Sequence, residues 1–366
     1  MRIVNGDSSD FVTTLARVRP ASHAHVTIGV FDGVHRGHQR LITRMVQTAH
    51  ATGGVAIVLT FDPHPAITLG TGRTFNVRNV CLDGDRGDAA SVRGADERRQ
   101  PLAPPPLLTT AEERAEVLAG LGLDVLVVLP FTTSTARTPA TEFVEALLHH
   151  LNLTQLWGGP DLAIGHRREG DIPFLRRLGV EKGFTVHVVK PIVWDRALVS
   201  SSRVRAALKA GDIPQATGCL GRPYRLTGSV VRGRAVGHSI GIPTANIAPP
   251  RRRLIPASGV YACLAHTEHL GTYPSVTNIG VRPTFGPPLD SASVGRRAPV
   301  VEAHLLDLDA DLYGQALALD FIARLRDERA FPTSDALVKQ IYSDMAEARA
   351  VLNEVGSPTL VESSLT

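Results

Sequence analysis

Cysteine is scarce in this chain, with three in 366 residues: Cys81, Cys219 and Cys263. They stand far apart, without the close pairs of a metal site or the regular spacing of a disulfide framework. A reducing cytoplasm is the compartment this usage fits. An excess of one charge is also lacking. Lys and Arg total 39 against 35 Asp and Glu, a formal net charge of +4, so no dense basic face holds a polyanion by charge alone. Aromatic residues make up 5%. Neither an aromatic platform nor a helix-turn-helix is recognisable, and nucleic acid is not an expected partner. Long apolar runs are absent too. The longest, Val125 to Leu129, falls far short of the about 20 residues that span a bilayer. The opening Met1 to Asp7 lacks the apolar core of a signal peptide. No membrane partner is expected, and self-association stays open.

What is present suits a globular protein of two or three domains, with 43% apolar and 20% charged residues. The first half alternates apolar strands with helical periods. Val26 to Ile28, Val55 to Phe61, Val125 to Leu129, Leu153 to Trp157 and Phe184 to Val189 read as strands. One helix is expected through Leu41, Ile42, Met45, Val46 and Ala49. A second follows a Thr110/Glu113 capping box, through Val117, Leu118 and Leu121. A third has Pro139 at its first position and runs through Phe143, Leu147 and Leu148. This alternation predicts an α/β fold, a parallel sheet covered on both faces with its ligand site beyond the carboxyl ends of the strands. From Gly70 to Pro106 the apolar period stops, and a mobile insertion is expected. Beyond about Gly221 the texture turns β-rich: Leu226 to Val231, Gly259 to Leu264, Ser275 to Ile279, Val300 to Leu306 and Leu317 to Ile322, punctuated by Gly and Pro. A compact antiparallel barrel is the expectation. A helix follows from about Ser334 to Leu352, and residues 353–366 read as a disordered tail.

The most informative stretch is Gly29-Val30-Phe31-Asp32-Gly33-Val34-His35-Arg36-Gly37-His38, between a strand and a helix. A helix N-terminus offers free N–H groups to phosphate. Glycines admit a ligand close to the backbone, and two imidazoles can donate hydrogen bonds to charge that builds up in phosphoryl or nucleotidyl transfer. The decamer resembles the nucleotidyltransferase signature. With Phe-Asp-Gly ahead of His-x-Gly-His it is similar to the FMN adenylyltransferase module of bacterial bifunctional riboflavin kinase/FAD synthetases. That resemblance implies ATP binding and transition-state stabilisation by Gly29, Phe31, Asp32, His35, Gly37 and His38, with His35 and His38 catalytic. It assigns Ser201, Ser202 and Arg205, at a helix start, to the triphosphate, and Asp161 to a place near adenosine or flavin. The chain also departs from the family. Asp161-Leu162-Ala163-Ile164-Gly165 replaces Asp-Phe-x-Phe-Gly, and Thr132 stands where Asn or Asp is usual after Phe131.

The second half carries its own signature. Gly228-Ser229-Val230-Val231-Arg232-Gly233 leads to Gly237-His238-Ser239-Ile240-Gly241-Ile242-Pro243-Thr244-Ala245-Asn246. Glycines flanking a strand can cover phosphates. Thr244 and Asn246 alternate in an extended segment, so both face one side. A hydroxyl and an amide oxygen are fit partners for magnesium and phosphate. Here the chain resembles the riboflavin kinase module. The resemblance makes the loop with Asn278 and Arg282 flavin-facing, and Glu302 the base for the ribityl 5′-hydroxyl. Thr244 and Asn246 would be the metal ligands, and Gly233 and Gly237 phosphate contacts. His238 replaces the usual Arg.

The resemblance covers about Val26 to Leu352 apart from the insertion, and implies two reactions. ATP phosphorylates riboflavin to FMN, and ATP adenylylates FMN to FAD with release of pyrophosphate, both with Mg2+. The implied division is a Rossmann-like nucleotidyltransferase domain over 1–212, its insertion at 70–106, and a β-barrel riboflavin kinase domain over 221–352. Two other readings compete: a riboflavin kinase with an impaired adenylyltransferase half, motivated by Leu162 and Ile164, and a non-catalytic flavin-binding regulator.

Overall fold

Strands that are apolar on both sides need cover on both faces, and the first half of the chain is built that way. Its elements in chain order are β1 (Arg2–Asn5), α1 (Phe11–Ala16), β2 (Ala24–Ile28), α2 (Arg36–Ala51), β3 (Val55–Asp62), α3 (Pro65–Thr68), α4 (Ala111–Gly120), β4 (Val125–Pro130), α5 (Ala140–Leu151) and β5 (Leu153–Gly158). Then come β6 (Ala163–Ile164), β7 (Gly170–Asp171), α6 (Ile172–Lys182), β8 (Thr185–Val188), β9 (Val193–Trp194) and β10 (Ala197–Leu198). The computed structural model describes residues 1–6, 10–69, 104–233, 242–281 and 299–356. The expected insertion and tail therefore lie largely outside the described residues. The chain divides into two units, Met1–Pro106 with Ala111–Val199, and Leu107–Thr110 with Ser200–Thr366.

In the first unit six strands form an all-parallel sheet in the order β1-β4-β3-β2-β5-β8. One face packs Leu41, Ile42, Met45 and Val46 of α2 and Ala115 and Leu118 of α4 against Ala56, Val58 and Leu126. The other packs Phe11 and Leu15 of α1, Phe143 and Leu147 of α5 and Leu175 of α6 against Val26, Ile57 and Val127. Strand succession runs outward from β2 through β3 to β4, then reverses to β5 and β8 on its far side. Such a reversal opens a crevice at the carboxyl end of β2, where the 29–35 loop turns into α2.

Pro139 differs from its expected place. It precedes the first helical residue with ψ 150°. Having no side-chain acceptor, it leaves the Ala140 N–H to Glu169, whose Oε1 accepts at 2.8 Å. β1, α1 and α6 have no counterpart among the sequence expectations. β1 has four residues of which only Val4 is buried, too short a run for a period, and α1 depends on Asp10, which accepts from the N–H groups of Val12 and Thr13.

The second unit opens with α7 (Ser201–Ala210) and α8 (Ile213–Leu220), each stopped by a left-handed glycine, Gly211 and Gly221. A closed antiparallel barrel follows, made of β11 (Tyr224–Val231), β12 (Ala245–Ala248), β13 (Gly259–Thr267), β14 (Thr272–Val281), β15 (Pro299–Leu305) and β16 (Ala316–Arg326) in the order β11-β12-β15-β14-β13-β16. Alternation sends Tyr224, Tyr261 and Phe321 inward, and the Tyr261 and Phe321 rings meet edge-on at 5.2 Å. Along the outside, α9 (Ser334–Gly356) buries Ala348 and Leu352 with Val260, Ala262 and Val276. Its Asp344 accepts two hydrogen bonds from Arg326, at 2.9 and 2.7 Å.

Candidate functional site

Histidine is an uncommon helix cap, yet His35 caps α2, its Nδ1 accepting a long bond from the His38 N–H at 3.4 Å. A neutral imidazole that accepts at Nδ1 carries its proton on Nε2, so the His35 donor points away from the helix end. The ring of His38 lies over that of His35, centroids 3.6 Å apart and planes within 17°. Phe31 meets His38 edge-on at 5.1 Å. The approach to this pair is tight. An added Cβ at Gly37 would sit 3.1 Å from the His35 ring, and one at Gly29 would sit 3.0 Å from Phe31. Phe31, Gly33 and Val34 all take positive φ, 50°, 80° and 38°, an unusual cost for a β-branched valine.

Nδ1 of His38 is sealed from solvent and has no hydrogen-bond partner. Burial first, then the charges of His35 and Arg114, hold its pKa well below the usual histidine value. His38 is thus kept neutral, which leaves it an N–H donor for an anionic oxygen. Asp32 is buried beside it, 3% exposed. Arg114, from the first turn of α4, is also buried and donates from Nη1 to Thr60 Oγ1 at 3.0 Å. Nothing in the sequence marked it, since an arginine within Ala-Glu-Glu-Arg-Ala reads as a solvated helix face.

The replaced aromatics have a structural account. Leu162 and Ile164 are buried in the core, 9% and 8% exposed, and Leu162 leaves no room for a Cβ at Gly158. Thr132 accepts the Thr135 N–H at 3.1 Å and closes a turn. Asp161 is exposed, its backbone oxygen accepting from Arg168 Nη2 at 2.6 Å. His64 caps α3, its Nδ1 accepting from the Ala66 N–H at 3.1 Å. The β9–β10 hairpin places Trp194 with its ring 4.4 Å from the guanidinium carbon of Arg36, the first residue of α2. In α7, Ser200 is the cap, accepting from the Arg203 N–H at 3.2 Å. Ser201 and Ser202 follow in the first turn, and Arg205 is 7% exposed.

On the barrel, register brings three expected residues together. Asn246 pairs with Glu302, and Glu302 with Asn278, so one rung crosses β12, β15 and β14. Residues directly opposite in antiparallel strands project to one face about 4.5–5.5 Å apart. Asn246 is 6% exposed, and its Oδ1 is buried without a hydrogen-bond partner among the described residues. Gly233 lies against the Asn246 amide, leaving no space for a side chain. Thr244 is half-buried two residues before. Gly237 and Arg282 lie outside the described residues. Among the described residues no group of three or more His, Cys, Asp or Glu could hold a metal ion.

Comparison with known proteins matches both halves of the chain. The family model described as FAD synthetase matches residues 18–203, and that described as riboflavin kinase matches 220–352. A bifunctional riboflavin kinase/FMN adenylyltransferase of Pseudomonas fluorescens is 35% identical over 93% of this chain and 97% of its own length. The Escherichia coli protein of that description is 32% identical over 90% and 93%, and the Bacillus subtilis one 30% identical over 88% and 90%. A crystal structure described as a macrolide-efflux protein from Streptococcus pneumoniae superposes with a TM-score of 0.74, covering 95% of this chain and 99% of its own. At 24% identity it speaks to the fold alone.

Proposed function

This chain belongs to the bifunctional riboflavin kinase/FMN adenylyltransferase family, and we propose how its residues divide the two reactions. It phosphorylates riboflavin to FMN with ATP, then adenylylates FMN to FAD with release of pyrophosphate. We assign adenylyl transfer to residues 1–212 and riboflavin phosphorylation to 221–352. The observation that carries the first assignment is the stacked His35–His38 pair at the switch point of a parallel sheet.

In the adenylyl step the FMN phosphate attacks the α-phosphorus of ATP and pyrophosphate leaves. The nucleophile is already anionic, so no base is needed. What the site supplies is position and hydrogen bonds to growing charge, from the imidazole N–H groups and the N-terminal N–H groups of α2. Gly29 and Gly37 admit the phosphates, and Phe31 and Asp32 shape the loop. Ser201, Ser202 and Arg205 bind the triphosphate, and Asp161 the adenosine or flavin side. In the kinase step Glu302 takes the proton of the ribityl 5′-hydroxyl as that oxygen attacks the γ-phosphorus, and ADP leaves. Asn278 and Arg282 face the flavin, while Gly233 and Gly237 cover phosphates.

The buried acceptor of Asn246, with a hydroxyl two residues before it at Thr244, fits a hard cation bound mainly through nucleotide phosphates. We propose Mg2+ there. When bound, it neutralises phosphate charge. No helix among the described residues is long and apolar enough to cross a membrane. We propose the cytoplasm as compartment, since the three cysteines stand far apart in the sequence without a disulfide-type spacing. A product assay with riboflavin, ATP and magnesium tests the reading, with FMN expected first and FAD after it. Accumulation of FMN without FAD would leave only the kinase half. Flavin binding without ATP consumption would overturn both.

A further inference from the structure

Arg114 is a cation taken almost wholly out of water, 6% exposed, in a part of the chain to which no role has been given. A guanidinium so buried is costly unless its donors and charge are met. Its charge is met in part by Asp32, Asp62 and Glu112. Its donors are met in a directed way. Nη1 donates to the Thr60 hydroxyl at 3.0 Å. That hydroxyl passes its own proton to the Val30 carbonyl at 3.1 Å. A chain of two hydrogen bonds thus runs from α4, across the end of β3, into the loop between β2 and α2. Among the described residues Nε of Arg114 is buried without a partner.

The loop it reaches needs a brace. Phe31 and Val34 hold positive φ, a shape that persists only where surroundings over-determine it. Val34 in turn is tied by the Gln39 side chain, which donates to its carbonyl at 2.7 Å. Val30 is the other end of the same loop, and between them sit Asp32 and the lead into His35.

We propose that Arg114 is a positioning residue for FMN adenylylation. Through Thr60 it pins the Val30 carbonyl, and beside Asp32 it holds the 29–35 loop in the shape that sets His35 over His38. The inference rests on the assignment of that pair to adenylyl transfer. It involves no new bond-making step, because Arg114 acts only through the loop.

The test uses the full chain with Arg114→Met, Arg114→Lys, Thr60→Val and the Arg114→Met/Thr60→Val double variant, with His38→Ala alongside. FAD formation from FMN is measured at varied ATP and FMN, and tryptophan fluorescence reports folding, since Trp157 and Trp194 both lie in the first unit. The expected result for Arg114→Met is a kcat lower by about 10–100-fold, the scale of a misplaced catalytic group, with both KM values nearly unchanged. Arg114→Lys recovers part of the rate. Thr60→Val lowers kcat in the same way, and the double variant is no worse than the poorer single one, as for two members of one network. Unchanged kcat in folded Arg114→Met, a rise confined to the KM for ATP, or full additivity in the double variant would each overturn the proposal. If FAD formation survives His38→Ala, the histidine assignment falls and the inference with it. If it does not survive, yet Arg114→Met is silent, only the inference falls.

Discussion

The two histidines of the decamer differ in what their environments do to them, and that difference can be tested one residue at a time. His35 accepts at Nδ1 from the helix end. His38 is closed in and kept neutral chiefly by burial. Removing a donor aimed at charge that grows in a transition state costs roughly 10²–10³ in rate. His38→Ala should therefore lower FAD formation by about that factor and leave FMN formation from riboflavin intact, with both products quantified by chromatography. Glu302→Gln is the mirror case. It keeps the shape of the rung with Asn246 and Asn278 but cannot take a proton. Riboflavin phosphorylation should fall by about 10²–10⁴, while FAD formation from supplied FMN continues. Cys263 marks the opposite extreme, a group made inert. Burial pushes its thiol up to about 12, so a maleimide should leave it unlabelled in the folded protein, and peptide mass mapping after digestion would reveal any adduct at Cys263.

At the scale of elements, the sheet carries a polar layer that no apolar pattern required. On the face under α2, His25 on β2, Trp157 on β5 and His187 on β8 stack in sequence, with centroids 6.5 and 4.4 Å apart. The nitrogens of His25 and the indole N–H of Trp157 are buried, the indole without a hydrogen-bond partner among the described residues. Burial lowers the pKa of His25, helped by His23 and His187, and burial also lowers that of His187. With folded values below the usual 6.5, the unfolded chain binds more protons just under that pH, so stability rises with pH through the window. It is complete above the ordinary histidine range and is lost as the pH falls below it. The urea midpoint followed by tryptophan fluorescence should therefore drop between about pH 7.5 and 5.5, and His25→Val, β-branched in a central strand, should flatten the drop.

The same scale explains what the sequence disclosed and what it concealed. β3 and β4 were legible because a central parallel strand must be apolar on both faces. The rung of Asn246, Glu302 and Asn278 was legible only as three separate residues, because register across β12, β15 and β14 is a tertiary fact. Leu162 and Ile164 read as lost flavin contacts, yet they fill the core between β5 and α5, a role that apolar character satisfies without an aromatic ring. Arg114 was invisible for the reverse reason. Its burial comes from α4 docking beside the 29–35 loop, and nothing local in Glu-Glu-Arg-Ala announces it.

For the whole molecule, the two chemistries rest on two separately built cores, a covered parallel sheet and a closed barrel. His35 and His38 lie in the first and Glu302 in the second, and the product of the kinase is the substrate of the adenylyltransferase. FMN is a small, charged, water-soluble molecule that can leave one site and enter another by diffusion. This makes a complementation experiment decisive. His38→Ala alone should stop at FMN, and Glu302→Gln alone should leave riboflavin unconverted. An equimolar mixture of the two, given only riboflavin, ATP and magnesium, should make FAD, after a lag that shortens as protein concentration rises. A mixture that accumulates FMN and never FAD, although Glu302→Gln adenylylates added FMN, would show that the intermediate does not pass through solution and that the two units must act within one chain.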